Sequence, residues 1–189
     1  MMRLPRLLLG AMTAMALALP VGASQGVLAS GASTPTPCRA TALAPTVGRG
    51  SAAAGTAYET LLITNHVKGT TSLTGRCSLS GTPTTQFGNF VTSGDSAVFR
   101  AVGPAATKLT IAGRGATIVV KPGAVASVTI GIETADNYPP SKCDKANATR
   151  VRLVFQSGAT LYYTLHTTQV CTKFKSTTTS GVVLGTRYP

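Results

Sequence analysis

Tryptophan is absent from this chain of 189 residues, and acidic side chains are scarce, with five against 17 lysines and arginines. Charged residues amount to 12%, too few to cover the solvent faces of several amphipathic helices, which draw heavily on Glu and Lys. Histidine occurs only at His66 and His166, the first in a connection and the second on a strand face, with no carboxylate near either in sequence. Within residues 38–189 there is no Gly-x-Ser-x-Gly elbow, His-Glu-x-x-His helix or paired-carboxylate motif, so hydrolytic chemistry lacks its usual signatures. A folded active site would have to draw on Glu59, Asp95, Glu133, Asp136 and Asp144, the only carboxylate side chains. No catalytic residue, metal ligand or cofactor is therefore expected, and the chain reads as a non-enzyme.

What the chain does hold is Gly 20, Pro 11 and abundant Thr and Val, a composition that favours strands and turns. Its length suits one domain with a real core. The expected class is all-β, an antiparallel β-sandwich over residues 38–189, with a core of Leu, Ile, Val, Phe and Tyr. The formal charge is +12, and setting aside Arg3 and Arg6 of a leader leaves 15 basic residues against five acidic, a net of +10. Such an excess draws polyanions, whether envelope polymers, lipid surfaces or nucleic acid.

Residues 1–23 read as a cleaved signal peptide: Arg3 and Arg6 supply the positive start, Leu7 to Leu19 the apolar segment and Val21-Gly22-Ala23 the small-residue site. The apolar run falls short of the roughly 18 residues of a membrane span, and Pro20 ends it. Residues 24–37, rich in Ser, Gly, Ala, Thr and Pro, read as a flexible linker with too little apolar surface to fold. The first cysteine, Cys38, lies well past the leader, so a secreted product without a transmembrane segment is expected, possessing no lipid-attachment cysteine.

Four cysteines in an exported chain, none in a Cys-x-x-Cys pair, read as two disulfides. Three connectivities are open, and sequential pairing, Cys38–Cys77 with Cys143–Cys171, is favoured because each bond then ties a loop or linker to an adjacent strand. Each is worth on the order of 3–4 kcal/mol by the loop-entropy argument.

Ala57 to Gly81 reads as the central strand pair. Leu61, Leu62 and Ile63 are apolar on both faces, which places that strand between neighbours, and a half-buried strand carrying Cys77 and Leu79 follows. Gly48 to Gly55 reads as a loop, and residues 84–112 as edge strands and long loops. Ala116–Val120 and Ala124–Glu133 are expected to pair as a hairpin through Lys121-Pro122-Gly123, with Ser127, Thr129, Gly131 and Glu133 outward. Residues 135–148 read as a polar loop. In the last hairpin a turn at Ser157-Gly158-Ala159 sets Val151 opposite Leu165, Leu153 opposite Tyr163 and Phe155 opposite Leu161 inside. Outside it sets Arg150 opposite His166, Arg152 opposite Thr164 and Val154 opposite Tyr162. Gln169–Phe174 and Gly181–Leu184 read as closing strands.

Cys38 after a Pro/Thr linker, Leu62-Ile63-Thr64-Asn65, Cys77-Ser78-Leu79-Ser80-Gly81-Thr82-Pro83 and Pro122-Gly123 before a strand carry a resemblance. Together they resemble an uncharacterised exported domain of unknown function from high-GC Gram-positive bacteria, over about Cys38 to Leu184. The resemblance implies an immunoglobulin-like sandwich at the cell envelope with no established activity. Thr82 departs from the Tyr often found there.

The basic residues concentrate late in the chain, at Lys142, Lys145, Arg150, Arg152, Lys173 and Lys175, with Tyr162 between them. Arg150, Arg152, His166, Lys173, Lys175 and Tyr162 are therefore the expected binding face. Tyr162 and Tyr138 are also the aromatic residues open to a sugar ring. The expected function is a secreted, non-catalytic binding or adhesion module held electrostatically on anionic envelope polymer or lipid. Rival readings are a protein-partner module, such as an inhibitor or receptor-like domain using residues 84–112 or 135–148, and a secreted hydrolase. Nucleic acid is a poor fit for an exported domain without a basic helix or interleaved aromatics.

Overall fold

The computed structural model describes residues 35–68 and 75–187, so the expected leader, residues 1–23, and the linker up to Thr34 lie outside the described residues. Among these residues the regular structure is nearly all strand, with two short 3-10 turns besides. β1 (Leu43–Ala53) turns through Ala54-Gly55 into β2 (Thr56–Asn65). Both turn residues have positive φ, 48° and 77°, the two-residue geometry that follows the twist of a hairpin. The expected Gly48–Gly55 loop is thus mostly strand. Its glycines and alanines run along a sheet edge where little packing is asked of them, with a register break between Val47 and Gly50.

Three short strands and two longer ones follow: β3 (Cys77–Leu79), β4 (Thr84–Ser93), β5 (Ser96–Ala101), β6 (Thr107–Leu109) and β7 (Ile118–Val120). The chain continues through β8 (Val125–Glu133), β9 (Lys145–Val154), β10 (Thr160–Cys171), β11 (Thr177–Ser180) and β12 (Val183–Leu184). Two sheets dominate. One has the order β1-β2-β8-β11-β6 with β12 also on β8, and the other the order β10-β9-β4-β5. Pairing is antiparallel apart from β6 with β11.

The sheets share one core. Leu61, Ile63, Val128 and Ile130 from the first meet Phe87, Val151, Leu153, Leu161 and Tyr163 from the second. Two hydrogen bonds join the layers: Thr85 Oγ1 to Thr179 Oγ1 at 3.0 Å, and the Tyr163 hydroxyl to the Leu62 carbonyl at 3.3 Å. The Cys38–Cys77 disulfide lies in this core, while Cys143–Cys171 anchors a smaller cluster with Ala135, Tyr138 and Phe174.

Several expectations about pairing are overturned. β2 does lie between neighbours, but β3 does not pair with it. Instead β3 joins β7 in a separate two-stranded ladder, Cys77 opposite Val120, so the expected β7–β8 hairpin does not form. Alternation alone could not choose between β8 and β3 as the partner of Ile118–Val120, because either covers its apolar face. Ser127 and Thr129, expected outward, are buried with Gly131. Arg114 Nη1 donates to Thr129 Oγ1 and Ser180 Oγ, the Ser127 hydroxyl donates to the Gly185 carbonyl, and the Tyr58 ring lies over Gly131. Within 84–112, β5 and β6 are edges as expected, whereas β4 is internal, between β9 and β5.

Polar strand ends are tied down by one side chain. Asn65, fully buried, donates from Nδ2 to the carbonyls of Gly75 and Val120 at 2.8 and 2.9 Å, and its Oδ1 accepts from the Val67 amide at 3.1 Å. Pro35 to Pro37, the end of the expected linker, run along β3, where Ser78 N donates to the Thr36 carbonyl and Cys38 N to the Ser78 carbonyl.

Candidate functional site

β9 and β10 form the expected hairpin, in a register two residues away from the expected one. Val154 lies opposite Thr160, Arg152 opposite Tyr162, Val151 opposite Tyr163 and Arg150 opposite Thr164. Phe155 N donates to the Ala159 carbonyl, so the three-residue turn is Gln156-Ser157-Gly158, one residue earlier than expected, and buried Phe155 and Ala159 close it over the core. A shift of two preserves which side chains face inward. It changes the outer neighbours, and Tyr162 now stands beside Arg152 instead of Val154.

β4 lies on the far side of β9, with Gln86 opposite Arg152 and Gly88 opposite Arg150, and β5 lies beyond it, with Phe99 opposite Phe90. The outer face of this sheet therefore carries Tyr162, Arg150, Arg152, Gln86, Gly88, Phe90 and Phe99 on four adjacent strands. Tyr162 and Phe99 start three strand spacings apart, roughly 14 Å of sheet. Their rings nevertheless meet at a centroid distance of 5.7 Å, with Phe90 at 5.1 Å from Tyr162 and 6.0 Å from Phe99. Gly88 permits this. A Cβ there would sit 2.6 Å from Phe99 Cζ and 2.2 Å from the Arg100 carbonyl oxygen.

The two arginines are woven into the rings. Arg152 Cζ lies 4.7 Å from the Phe99 centroid, and Arg150 Cζ lies 5.8 Å from that of Phe90. Arg152 also donates from Nη2 to Gln86 Oε1. Each aromatic pair is worth about 0.5–1.5 kcal/mol and each exposed cation–π contact about 0.5–1 kcal/mol, enough to hold the side chains in one arrangement without a covering element. Phe90 and Tyr162 remain 39% and 38% exposed, so the rings present faces to solvent.

The other expected binding residues are not brought here. Lys145 pairs with Asp136, and Lys173 with Asp144 at 3.1 Å, at the opposite end of the hairpin. From Arg150 to Lys145 is five residues of strand, roughly 17 Å. Lys142 and Lys175 are exposed and lie near that end in sequence, and Arg150 and Arg152 form no ion pair among the described residues. The register breaks between Thr164 and Thr168, which takes His166 into a cleft of about 210 Å3 shared with Glu59, Val47, Thr164, Leu165 and Thr168. Tyr138 packs edge-on against Phe174 at 4.7 Å, and its hydroxyl donates to Glu133, which raises the tyrosine pKa. His66 and Asp95 are exposed, the latter in the β4–β5 turn.

Phe90, Phe99, Gly88 and Gln86 escape the sequence reading, although one signal points to them. Gly94-Asp95 between two β-rich runs is a two-residue hairpin turn, and it sets Ser93 opposite Ser96 and hence Phe90 opposite Phe99.

No helix among the described residues is long and apolar enough to cross a membrane. Comparison with curated proteins and with solved structures finds no match for the chain. A family model does match, over residues 38–183, and by it the chain belongs to the domain of unknown function family DUF4232.

Proposed function

We propose that this domain is a secreted, non-catalytic binding module held at the cell envelope, and that it grips anionic glycan polymer with the outer face of the β10-β9-β4-β5 sheet. One observation carries the reading: Arg150 and Arg152, free of carboxylate partners among the described residues, are set among three clustered rings of which two are well exposed. Guanidinium groups meet carboxylate or phosphate, and ring faces meet the apolar faces of sugars, so charge and shape address one ligand class. The two disulfides suit an oxidising, extracellular setting. Two largely antiparallel sheets around a shared core suit an immunoglobulin-like sandwich, which we propose as the fold family.

Retention on washed envelopes across a salt series tests the function. Arg150→Glu with Arg152→Glu should release the protein at low salt, whereas Lys145→Glu with Lys173→Glu should leave retention within about twofold. Equal loss from both pairs would mean that net charge, not this face, holds the protein.

A further inference from the structure

β5 is the outermost strand of the second sheet, and among the described residues nothing pairs with its free side. The direction of its backbone groups follows from the hairpin. Ser93 and Ser96 flank a two-residue turn and form a hydrogen-bonded pair, and Val102 N donates to the Phe87 carbonyl in the same phase. Ser96, Val98 and Arg100 therefore bond to β4, and the amides and carbonyls of Ala97, Phe99 and Ala101 point outward. The β4–β5 ladder contains no register break, and β5 contains no proline. The usual devices that blunt an edge are thus missing, apart from Arg100. Val98 is 45% exposed on one face of this edge, and Phe99 borders the ring cluster on the other.

We propose that the outer edge of β5 takes up an extended acidic peptide segment of a partner protein as an added strand. Outward backbone groups at Ala97, Phe99 and Ala101 would bond its main chain. Its alternate side chains would lie over Val98 and beside Arg100 on one face, and against Phe99 on the other. Charge selects an acidic segment, since Arg100 is on the strand itself, Arg150 and Arg152 are on the same sheet and the chain carries a formal +12. A second copy is the poorer occupant for two reasons. Two chains of that charge repel, and six residues a side fall far below the roughly 20–30 residues a side of a stable protein interface. This site adjoins the glycan-binding face at Phe99 but rests on the outward backbone groups of β5, so its failure would leave that reading standing.

The test uses the disulfide-bonded chain and a short labelled peptide alternating Val and Glu, titrated by fluorescence anisotropy. Saturable binding is expected, at least tenfold weaker when alternate peptide amides are N-methylated, and lost when Lys replaces Glu. Ala101→Pro, which removes one outward donor and leaves the β4 ladder bonds in place, should weaken binding by a similar factor, while Arg150→Glu with Arg152→Glu should weaken it less. Binding indifferent to N-methylation would place the peptide on the ring face and overturn the proposal, as would absence of binding. Self-association of the wild-type chain in sedimentation that Ala101→Pro abolishes would make a second copy the occupant and overturn it too.

Discussion

Asn65 ties the end of β2 to the β3–β7 ladder, which pairs with no other strand among the described residues, through Gly75 before β3 and Val120 at the end of β7. Replacing it by Ala strands two carbonyls and an amide in or near the core, each costing about 1–3 kcal/mol, so a loss of about 3 kcal/mol in chemical denaturation is expected. Asn65→Asp keeps the shape but loses both donors, and should destabilise at neutral pH at least as much. Tyr163 gives a pH signature. Burial pushes its phenol pKa well above the usual value near 10. The folded state holds the phenol proton while the unfolded state releases it, so unfolding is favoured increasingly as pH rises above about 10. Tyr163→Phe should cost about 1 kcal/mol at pH 7 through the lost bond to the Leu62 carbonyl and should flatten this alkaline decline, as followed by thermal melts at pH 9 to 11. Alternation made the burial of Tyr163 legible, but not its bond to the Leu62 carbonyl, and the role of Asn65 was not legible. Asn65 appeared as part of a Thr-Asn strand end, and nothing in sequence shows that its amide reaches a carbonyl 55 positions away.

Hairpins were legible where a turn and alternation agree. The β9–β10 faces followed from alternation, but the placement of the three-residue turn decided the register: it starts at Gln156 instead of Ser157, and that one-residue move shifts the pairing by two. β7 and β8 alternate well and are adjacent in sequence, yet β3, held by the Cys38–Cys77 bond, takes β7 instead. β11 was missed because Thr177–Ser180 is all hydroxyl. It is largely buried, with its hydroxyls accepting bonds such as those from Thr85 Oγ1 to Thr179 Oγ1 and from the Thr129 amide to Ser180 Oγ, which composition does not reveal. At this scale Gly88 carries the sharpest expectation. Gly88→Ala must push apart β4 and β5, because the closest contact is a backbone oxygen, and should cost about 1–3 kcal/mol as an overpacked site does. Loss of the ring-current shifts of Phe90, Phe99 and Tyr162 in NMR spectra should accompany it.

Across the whole molecule, composition made the all-β class and the disulfide framework legible. The sequential pairing is the one found, with loops spanning 39 and 28 residues. Loop entropy gives the two bonds nearly equal weight, about 4 and about 3.5 kcal/mol. Their surroundings differ. Cys38 and Cys77 belong to the main core, whereas Cys143 and Cys171 belong to the satellite cluster, so Cys38→Ala with Cys77→Ala should lower the Tm further than Cys143→Ala with Cys171→Ala. The candidate site was half legible. Charge clustering led to Arg150, Arg152 and Tyr162, but it could not separate them from lysines whose carboxylate partners, Asp136 and Asp144, come from the neighbouring loop. The rings that complete the face come from β4 and β5, and only the sheet order brings them to β9. Chemical-shift mapping of the chain titrated with a polyuronic acid tests that face most directly. Perturbations should concentrate at Arg150, Arg152, Tyr162, Phe90 and Phe99, and perturbations centred on Lys142, Lys145, Lys173 and Lys175 would contradict the proposed glycan face.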